Sequence, residues 1–355
     1  MEFGLVLGPF LPPRGEMTSK DALALQLRFA DRAAESGFDY VSMGHHYLSG
    51  PLAQFFQPIP LAAAILAKHP SLSVATTVFL LPYHNPVEMA ELVATIDALS
   101  PGHFVLGVGQ GYRRDEAEAA GIAHPSRRER LAESIEAMRL LWRGGPCSFE
   151  GKHYRFHDAD IGIATEDPNG PPILIGADSI ESIIRIPSLG GDHWIPSPRN
   201  GVTFIRNALP AYKEAVSKAG RTFAGIPLMR NVYVSTDEEA ARATLVQGVQ
   251  RMAAIQARWG QPGERSRASF DEIIREKQII LGSAEQVAET LIELHREASV
   301  ECVFLSCYIP GMDPEAALEM VSSLGEGTLP LVRREVGTKS LFFDQGPPLR
   351  QVGAQ

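Results

Sequence analysis

Short apolar runs alternate with longer amphipathic segments along most of the chain. Residues 3–7 are apolar and of strand length. Residues 18–35 repeat apolar positions at helical spacing, with Leu23, Leu27, Ala30 and Ala34 on one face and Thr18 or Ser19 placed to cap. Gly37 stops that helix, and 38–43 reads as a second strand. Residues 58–68 form a short Ala-rich helix, and 72–80, rich in Val and Thr, a third strand. Asn85 caps and Pro86 opens a helix to Leu99, with Met89, Val93 and Ile96 along one side. Residues 104–108 are a fourth strand. Ser126 and Glu129 make a capping-box pattern ahead of Leu131, Ile135, Met138 and Leu141.

The second half is less regular. Residues 146–156 read as a small hairpin-like excursion around Gly151. Strands follow at 173–175, 193–195, 228–234 and 300–305, and helices at 179–186, 203–219, 237–259, 283–298 and 314–324. Residues 261–269 are polar with Pro and Gly, hence loop. Residues 337–355 read as a loose tail.

Eight strands alternating with helices predict an α/β fold, a (β/α)8 TIM barrel with insertions at 146–170 and 260–282. A doubly wound open sheet shows the same alternation. The pattern assigns residues 1–335 to one barrel domain and 336–355 to a C-terminal tail.

Composition narrows the class. A length of 355 residues allows either two domains or one barrel. With 33 basic against 42 acidic residues the net charge is −9, which disfavours nucleic acid as a partner. No apolar stretch approaches the ~18 residues a membrane span needs. The first residues lack a cationic segment leading into an apolar core, so the expectation is a cytoplasmic protein without a secretory leader. Cys147, Cys302 and Cys307 make neither a disulfide framework nor a zinc-ribbon pattern.

Barrel sites lie at the C-terminal ends of the strands. There the sequence puts Gly44, His45, His46 and Tyr47 after the second strand, and Pro82, Tyr83, His84 and Asn85 after the third. Gly109, Gln110, Gly111 and Tyr112 follow the fourth, Gly176, Ala177, Asp178 and Ser179 the fifth, and Ser306 and Cys307 the eighth. Such a mouth suits a flat, polar-edged ligand with a phosphate. The Gly-Ala-Asp-Ser turn could hold that phosphate through backbone N–H groups and the Ser hydroxyl, or Ser179 is simply a helix cap. The run 106–111 is G-x-G-x-G and lacks the third Gly of a dinucleotide fingerprint; close backbone approach explains its glycines. Adjacent His45 and His46 cannot chelate one ion from a strand, whose side chains alternate, so no metal is expected. One of them as a proton donor or acceptor fits better. His84 and His193 are weaker candidates, and for a lone His structural hydrogen bonding is the more frequent explanation. No nucleophile elbow supports a hydrolase.

Several segments together resemble the bacterial luciferase-like flavin-dependent monooxygenase family. GFDYVSMGHHY at 37–47 resembles its G-F-D-x-V-W-x-x-E-H-H run, with Ser42 at the usual Trp and His45 at the usual acidic position. The register puts His46 on the family's catalytic histidine. LVATIDALSPGHFVLGVGQG at 92–111 is similar to its A-x-x-D-x-L-S-x-G-R-F-x-L-G-V-G-x-G block, with His103 at the usual Arg and Gln110 where some members place an Arg. PPILIGADS at 171–179, LGGDHWI at 189–195, and segments 282–287 and 300–311 resemble later blocks. The likeness spans roughly residues 1–334.

The resemblance implies a barrel that binds reduced FMN or, in one subgroup, a deazaflavin. The first reading is a two-component monooxygenase. Reduced FMN from a separate flavin reductase captures dioxygen as a C(4a)-peroxyflavin and oxygenates a small organic substrate. The alternative is a deazaflavin-dependent oxidoreductase that transfers hydride on the same barrel, and a second alternative is a flavin-binding protein without turnover. In this assignment His46 is catalytic. Ala75, Thr76 and Thr77 lie along the isoalloxazine, Gln110 meets its polar edge, and Gly176, Ala177, Asp178 and Ser179 take the phosphate, with the Asp178 side chain turned away. His45, Tyr47, Phe55 and Tyr112, with Phe56, form the substrate pocket. Residues 261–280, basic through Arg265, Arg267 and Arg275, would be a lid or a plain surface excursion. Helices at 58–68 and 85–99, with Ala62, Ala63 and Ala64, would pair two copies into a homodimer, or pack on the barrel.

Overall fold

Nine parallel strands build the central sheet of this computed structural model, which describes residues 1–8, 11–260 and 269–343. The strands are β1 (Glu2–Val6), β2 (Tyr40–Met43), β3 (Ser73–Thr76), β4 (Phe104–Val108), β7 (Ile173–Gly176), β8 (His193–Ile195), β9 (Ile226–Val234), β10 (Ile279–Gly282) and β11 (Val300–Ser306). Between β4 and β7, β5 (Cys147–Glu150) and β6 (Arg155–Ala159) form a separate antiparallel hairpin, as the sequence around Gly151 predicts. The sheet order is β10-β9-β11-β1-β2-β3-β4-β7-β8. The sheet curls until β8 lies beside β9, but among the described residues no hydrogen-bonded ladder joins them. The result is barrel-like and not closed.

The eight-strand expectation is therefore corrected to nine. β9 is longer than predicted. Its first half pairs with β11 and its last four residues pair with β10. The four residues of β10 are too short a run to give a periodic signal, and they sit inside a stretch read as an excursion. β3 ends at Thr76 rather than at residue 80; the Thr77–Val78 peptide is cis, and past it Phe79 keeps an isolated bridge to Val108 of β4.

Caps set the helices that position the mouth. Thr18 accepts the Asp21 N–H, Asn85 the Val87 N–H and Asp237 the Ala240 N–H, and Ser283 with Gln286 closes a capping box. The expected box at Ser126 and Glu129 does not form. Ser126 has helical rather than extended backbone angles, its hydroxyl donates to the Ala123 carbonyl, and Glu129 pairs with Lys152 and His153. In the helix Pro58–Lys68, Ala62 is buried and Ala64 exposed; Leu92 and Leu99 are exposed on Pro86–Leu99.

Side chains alternate along each strand, so the sheet feeds two apolar layers. The outer layer lies under the helices. The inner one joins Val6, Tyr40, Ala75, Val105, Leu174 and Phe304. Leu341 and Phe342 complete that inner layer at the N-terminal end of the strands. The Leu341 N–H donates to Glu2 Oε2, and Phe342 meets Tyr40 edge-on at 5.5 Å. The described part of the expected loose tail, residues 337–343, is thus packed; residues 344–355 lie outside the described residues. No helix among the described residues is long and apolar enough to cross a membrane.

Candidate active site

A cavity of roughly 560 Å3 opens at the C-terminal ends of the strands. Its wall includes ten of the residues singled out from sequence: His45, His46, Phe55, Thr77, Gln110, Tyr112, Gly176, Ala177, Asp178 and Ser179. Four others, assigned from sequence to the cofactor or substrate pocket, are not on it. Ala75 is buried in the inner core layer. Thr76 is buried, with its hydroxyl donating to the Gly107 carbonyl. Because β3 ends at Thr76, it is Thr77, Val78 and Leu80, past the strand, that reach the cavity. Tyr47 packs beside Tyr83 and shares a 2.9 Å hydrogen bond between its hydroxyl and His84 Nε2. Phe56 packs on the core instead of the wall. Gly107 and Gly109 match the close-approach reading: a Cβ would fall 1.9 Å from Thr76 O and 2.6 Å from Val78 Cγ2.

Beyond Met43 the strand has ended, and the two histidines diverge. His46 Nδ1 lies 2.8 Å from Glu116 Oε1, a carboxylate with no solvent exposure. The same oxygen accepts the Tyr47 N–H at 3.1 Å. An ionised carboxylate only accepts, so it fixes the proton on Nδ1 and leaves Nε2 of the neutral ring as an acceptor. Phe55, Tyr112 and Trp259 surround the imidazole, with ring centroids at 5.0, 5.7 and 4.8 Å. Arg113 ties this assembly together. It is buried, donates to the Tyr47 and Leu48 carbonyls, lies 3.6 Å from Glu116 and sits 4.9 Å from the centre of the Trp259 ring.

His45 turns inward. It stacks on Phe79 at 4.5 Å and accepts the Leu80 N–H at Nδ1. Burial pulls its pKa down to about 3, helped by neighbouring His84 and His46. Burial likewise lowers His84 to about 4. Both are neutral structural groups near pH 7. His193 lies at the opposite end of the strands against Phe342, far from the mouth in the sheet.

The rest of the wall divides into two chemistries. Val6, Val78, Ile195 and Met229 offer apolar contact, with Asn231 and Gln110 as polar groups among them. At the turn after β7, Ser179 caps the next helix by accepting the Ser182 N–H, so the simple cap reading of its side chain holds. Arg128 and Arg199 add positive charge there, 3.5 Å from Glu181 and 3.6 Å from Asp178. A flat apolar wall with a cationic, serine-bearing end fits a flavin-type ring with an anionic tail. Among the described residues, no three His, Cys, Asp or Glu side chains gather as a metal site. Arg265 and Arg267 lie outside the described residues. Arg275 is exposed on the short helix Phe270–Arg275.

Sequence reasoning missed Glu116, Arg113, Trp259, Arg128 and Arg199. Glu116 and Arg113 sit at a six-residue helix, Arg114–Ala119, whose Arg-Arg-Asp-Glu start looks like a solvated loop. The only available signal was the apolar Ala117 within it, buried beside Leu80 and Tyr83.

Comparison with known proteins places the chain. The profile of the luciferase-like monooxygenase family matches residues 1–301. The F420-dependent glucose-6-phosphate dehydrogenase of Kineococcus radiotolerans is 32% identical over 223 residues, covering 61% of this chain and 65% of that protein. The enzyme of the same name from Kribbella flavida is 30% identical over 224 residues, covering 61% and 66%. The chain thus matches these curated relatives over slightly less than two thirds of their length. Among solved structures, monooxygenase RslO1 from Streptomyces bottropensis aligns with a TM-score of 0.83 at 24% identity, covering 93% of this chain and 99% of that one. An F420-dependent secondary alcohol dehydrogenase, in complex with an F420-acetone adduct, aligns at 0.75 and 20%, covering 94% and 99%. These structural likenesses concern the fold; the profile match across most of the chain shows that it belongs to the luciferase-like monooxygenase family.

Proposed function

We propose that the protein is an oxidoreductase in which a deazaflavin takes hydride from a hydroxylated small molecule while His46 takes the proton. The observation that carries this reading is the His46–Glu116 pair on the cavity wall. Oxidising an alcohol to a carbonyl removes a hydride from carbon and a proton from oxygen. An imidazole with its proton fixed on Nδ1 has Nε2 ready for that proton, and the buried carboxylate stabilises the imidazolium that forms. A bound deazaflavin supplies the two-electron acceptor. Val6, Val78, Ile195 and Met229 would flank its ring, and Ser182, Arg128 and Arg199 its anionic tail. The names of the curated relatives support deazaflavin over FMN, reversing the order of preference drawn from sequence.

A second reading keeps reduced FMN, dioxygen and a separate reductase. It is favoured by the aromatic enclosure of His46, which reduces contact with water as a short-lived oxygenating species requires. The two are separated by titrating the protein with oxidised deazaflavin and with oxidised and reduced FMN. Micromolar or tighter deazaflavin binding, with alcohol-dependent bleaching of its absorbance, supports hydride transfer. Oxygen consumption coupled to product with reduced FMN, and no deazaflavin binding, supports the oxygenase. Pairing of two copies across Leu92 and Leu99 is part of the same proposal, checked by sedimentation.

A further inference from the structure

We propose that the substrate side of the cavity selects an uncharged, apolar alcohol, with its hydroxyl facing His46, and not a sugar phosphate. The inference rests on the hydride-transfer reading above.

The argument starts from what surrounds the imidazole. Phe55, Tyr112 and Trp259 enclose it. Met252 lies on the cavity wall seven residues before Trp259, two helical turns away on the same face of the helix Glu238–Arg258 and its C-cap. Leu80 adds a further apolar contact to the wall. Gln256, one turn from Met252, is a polar group without charge.

The cations point elsewhere. Arg128 and Arg199 line the cavity, and each faces a carboxylate of the segment following β7. The field of Arg199 reaches Tyr112, but its guanidinium is engaged by Asp178 and by Ser197 Oγ at 3.4 Å. Arg113 has its donors on the Tyr47 and Leu48 carbonyls and on Asp115. Among the described residues, then, the acid–base group meets rings and aliphatic chains rather than an unpaired cation. A phosphate dianion buried there would lose its water without gaining a counter-charge from the described residues. An apolar skeleton gains from the same burial, and its single hydroxyl finds Nε2. The reaction balances within the site. The carbinol C–H pair passes to the oxidised deazaflavin, the O–H proton passes to His46 Nε2, and a ketone remains.

Trp259 packs on His46 and provides the reporter; Trp142 and Trp194 are fully buried, and because Trp194 Nε1 donates to the Ala177 carbonyl on the wall, the Trp259→Phe variant isolates the Trp259 signal. The test titrates cyclohexanol and glucose 6-phosphate into the cofactor-free protein and reads tryptophan fluorescence, then repeats both with oxidised deazaflavin. Cyclohexanol is expected to give a saturable change that disappears in Trp259→Phe and needs about tenfold more ligand in Phe55→Ala, with thermal melts confirming that both variants fold. Glucose 6-phosphate is expected to leave the signal unchanged at a hundredfold higher concentration. Saturable binding of glucose 6-phosphate, or no binding of cyclohexanol, overturns the proposal. Cyclohexanol binding without any reduction of deazaflavin overturns the hydride-transfer reading alone and leaves this assignment of substrate class standing.

Discussion

The two ends of the sheet bury similar groups in different ways. At the floor, Glu2 receives the Leu341 N–H on one carboxylate oxygen and the Tyr40 hydroxyl on the other. At the mouth, Glu116 is also buried, but among the described residues only Oε1 has partners and Oε2 has none. The floor is completed by the chain itself, through Leu341 and Phe342. The mouth is left with an oriented imidazole, a half-satisfied carboxylate and an open cavity. Buried polar groups are normally satisfied, so the incomplete end is the one arranged for chemistry.

Replacing residues at each end should separate these roles. The largest effect is expected from His46→Ala, a fall of about 10²–10⁴ in alcohol-dependent turnover with an unchanged melting temperature. Steady-state rates beside a thermal melt check it, and a large loss of stability would make His46 structural. Glu116→Gln should follow, with about 10²-fold lower kcat and a shifted pH profile, because the amide can favour the wrong tautomer. At the floor Phe342→Ala should cost about 3 kcal/mol of stability and leave turnover nearly intact, read by denaturant unfolding.

Acidity sharpens the contrast further. His45 and His84 are held neutral, at about 3 and 4. Their contribution is present above the ordinary histidine value of 6.5 and is lost as the pH falls below it, since the unfolded chain then binds protons the mouth refuses. His193, half-buried at the floor with a value of about 4, shares that sign. Glu2 has the opposite one. Burial raises it from 4.5 to about 7, so its contribution is greatest in acid and declines as the pH rises from 4.5 through 7, by roughly 3 kcal/mol. Glu2→Gln should therefore raise the melting temperature at pH 8 relative to the parent and remove that part of the pH dependence. An identical pH profile in the variant would mean that Glu2 is ionised throughout.

The smallest effect is expected from Arg113→Lys. It keeps the charge beside Glu116 but loses the fork that holds two carbonyls. A fewfold loss of turnover is expected, with a larger loss in Arg113→Met.

Much of the fold was legible because apolar periodicity reports it directly. The helices Pro58–Lys68 and Pro86–Leu99 and the strand β4 fall where the pattern puts them. β10 escaped because four residues carry no period, and the helix Arg114–Ala119 because its charged first turn reads as solvated although Glu116 is buried. In the site, His46 and most of the cavity wall could be read from their places after strands. Glu116 could not, since its partnership with His46 bridges 70 residues and exists only once the sheet has curled. Leu341 and Phe342 were hidden in the same way: a short apolar pair near a chain end has no local signature of the core it completes.

One measurement tests the central claim most directly. The protein is mixed anaerobically with oxidised deazaflavin and cyclohexanol, and the cofactor's absorbance is followed from pH 5 to 9 in the parent and in His46→Ala. The account predicts rapid bleaching in the parent at every pH where the protein is folded, and loss of that rate in the variant. Bleaching that is equally fast in His46→Ala, or no deazaflavin binding beside coupled oxygen consumption with reduced FMN, would contradict it.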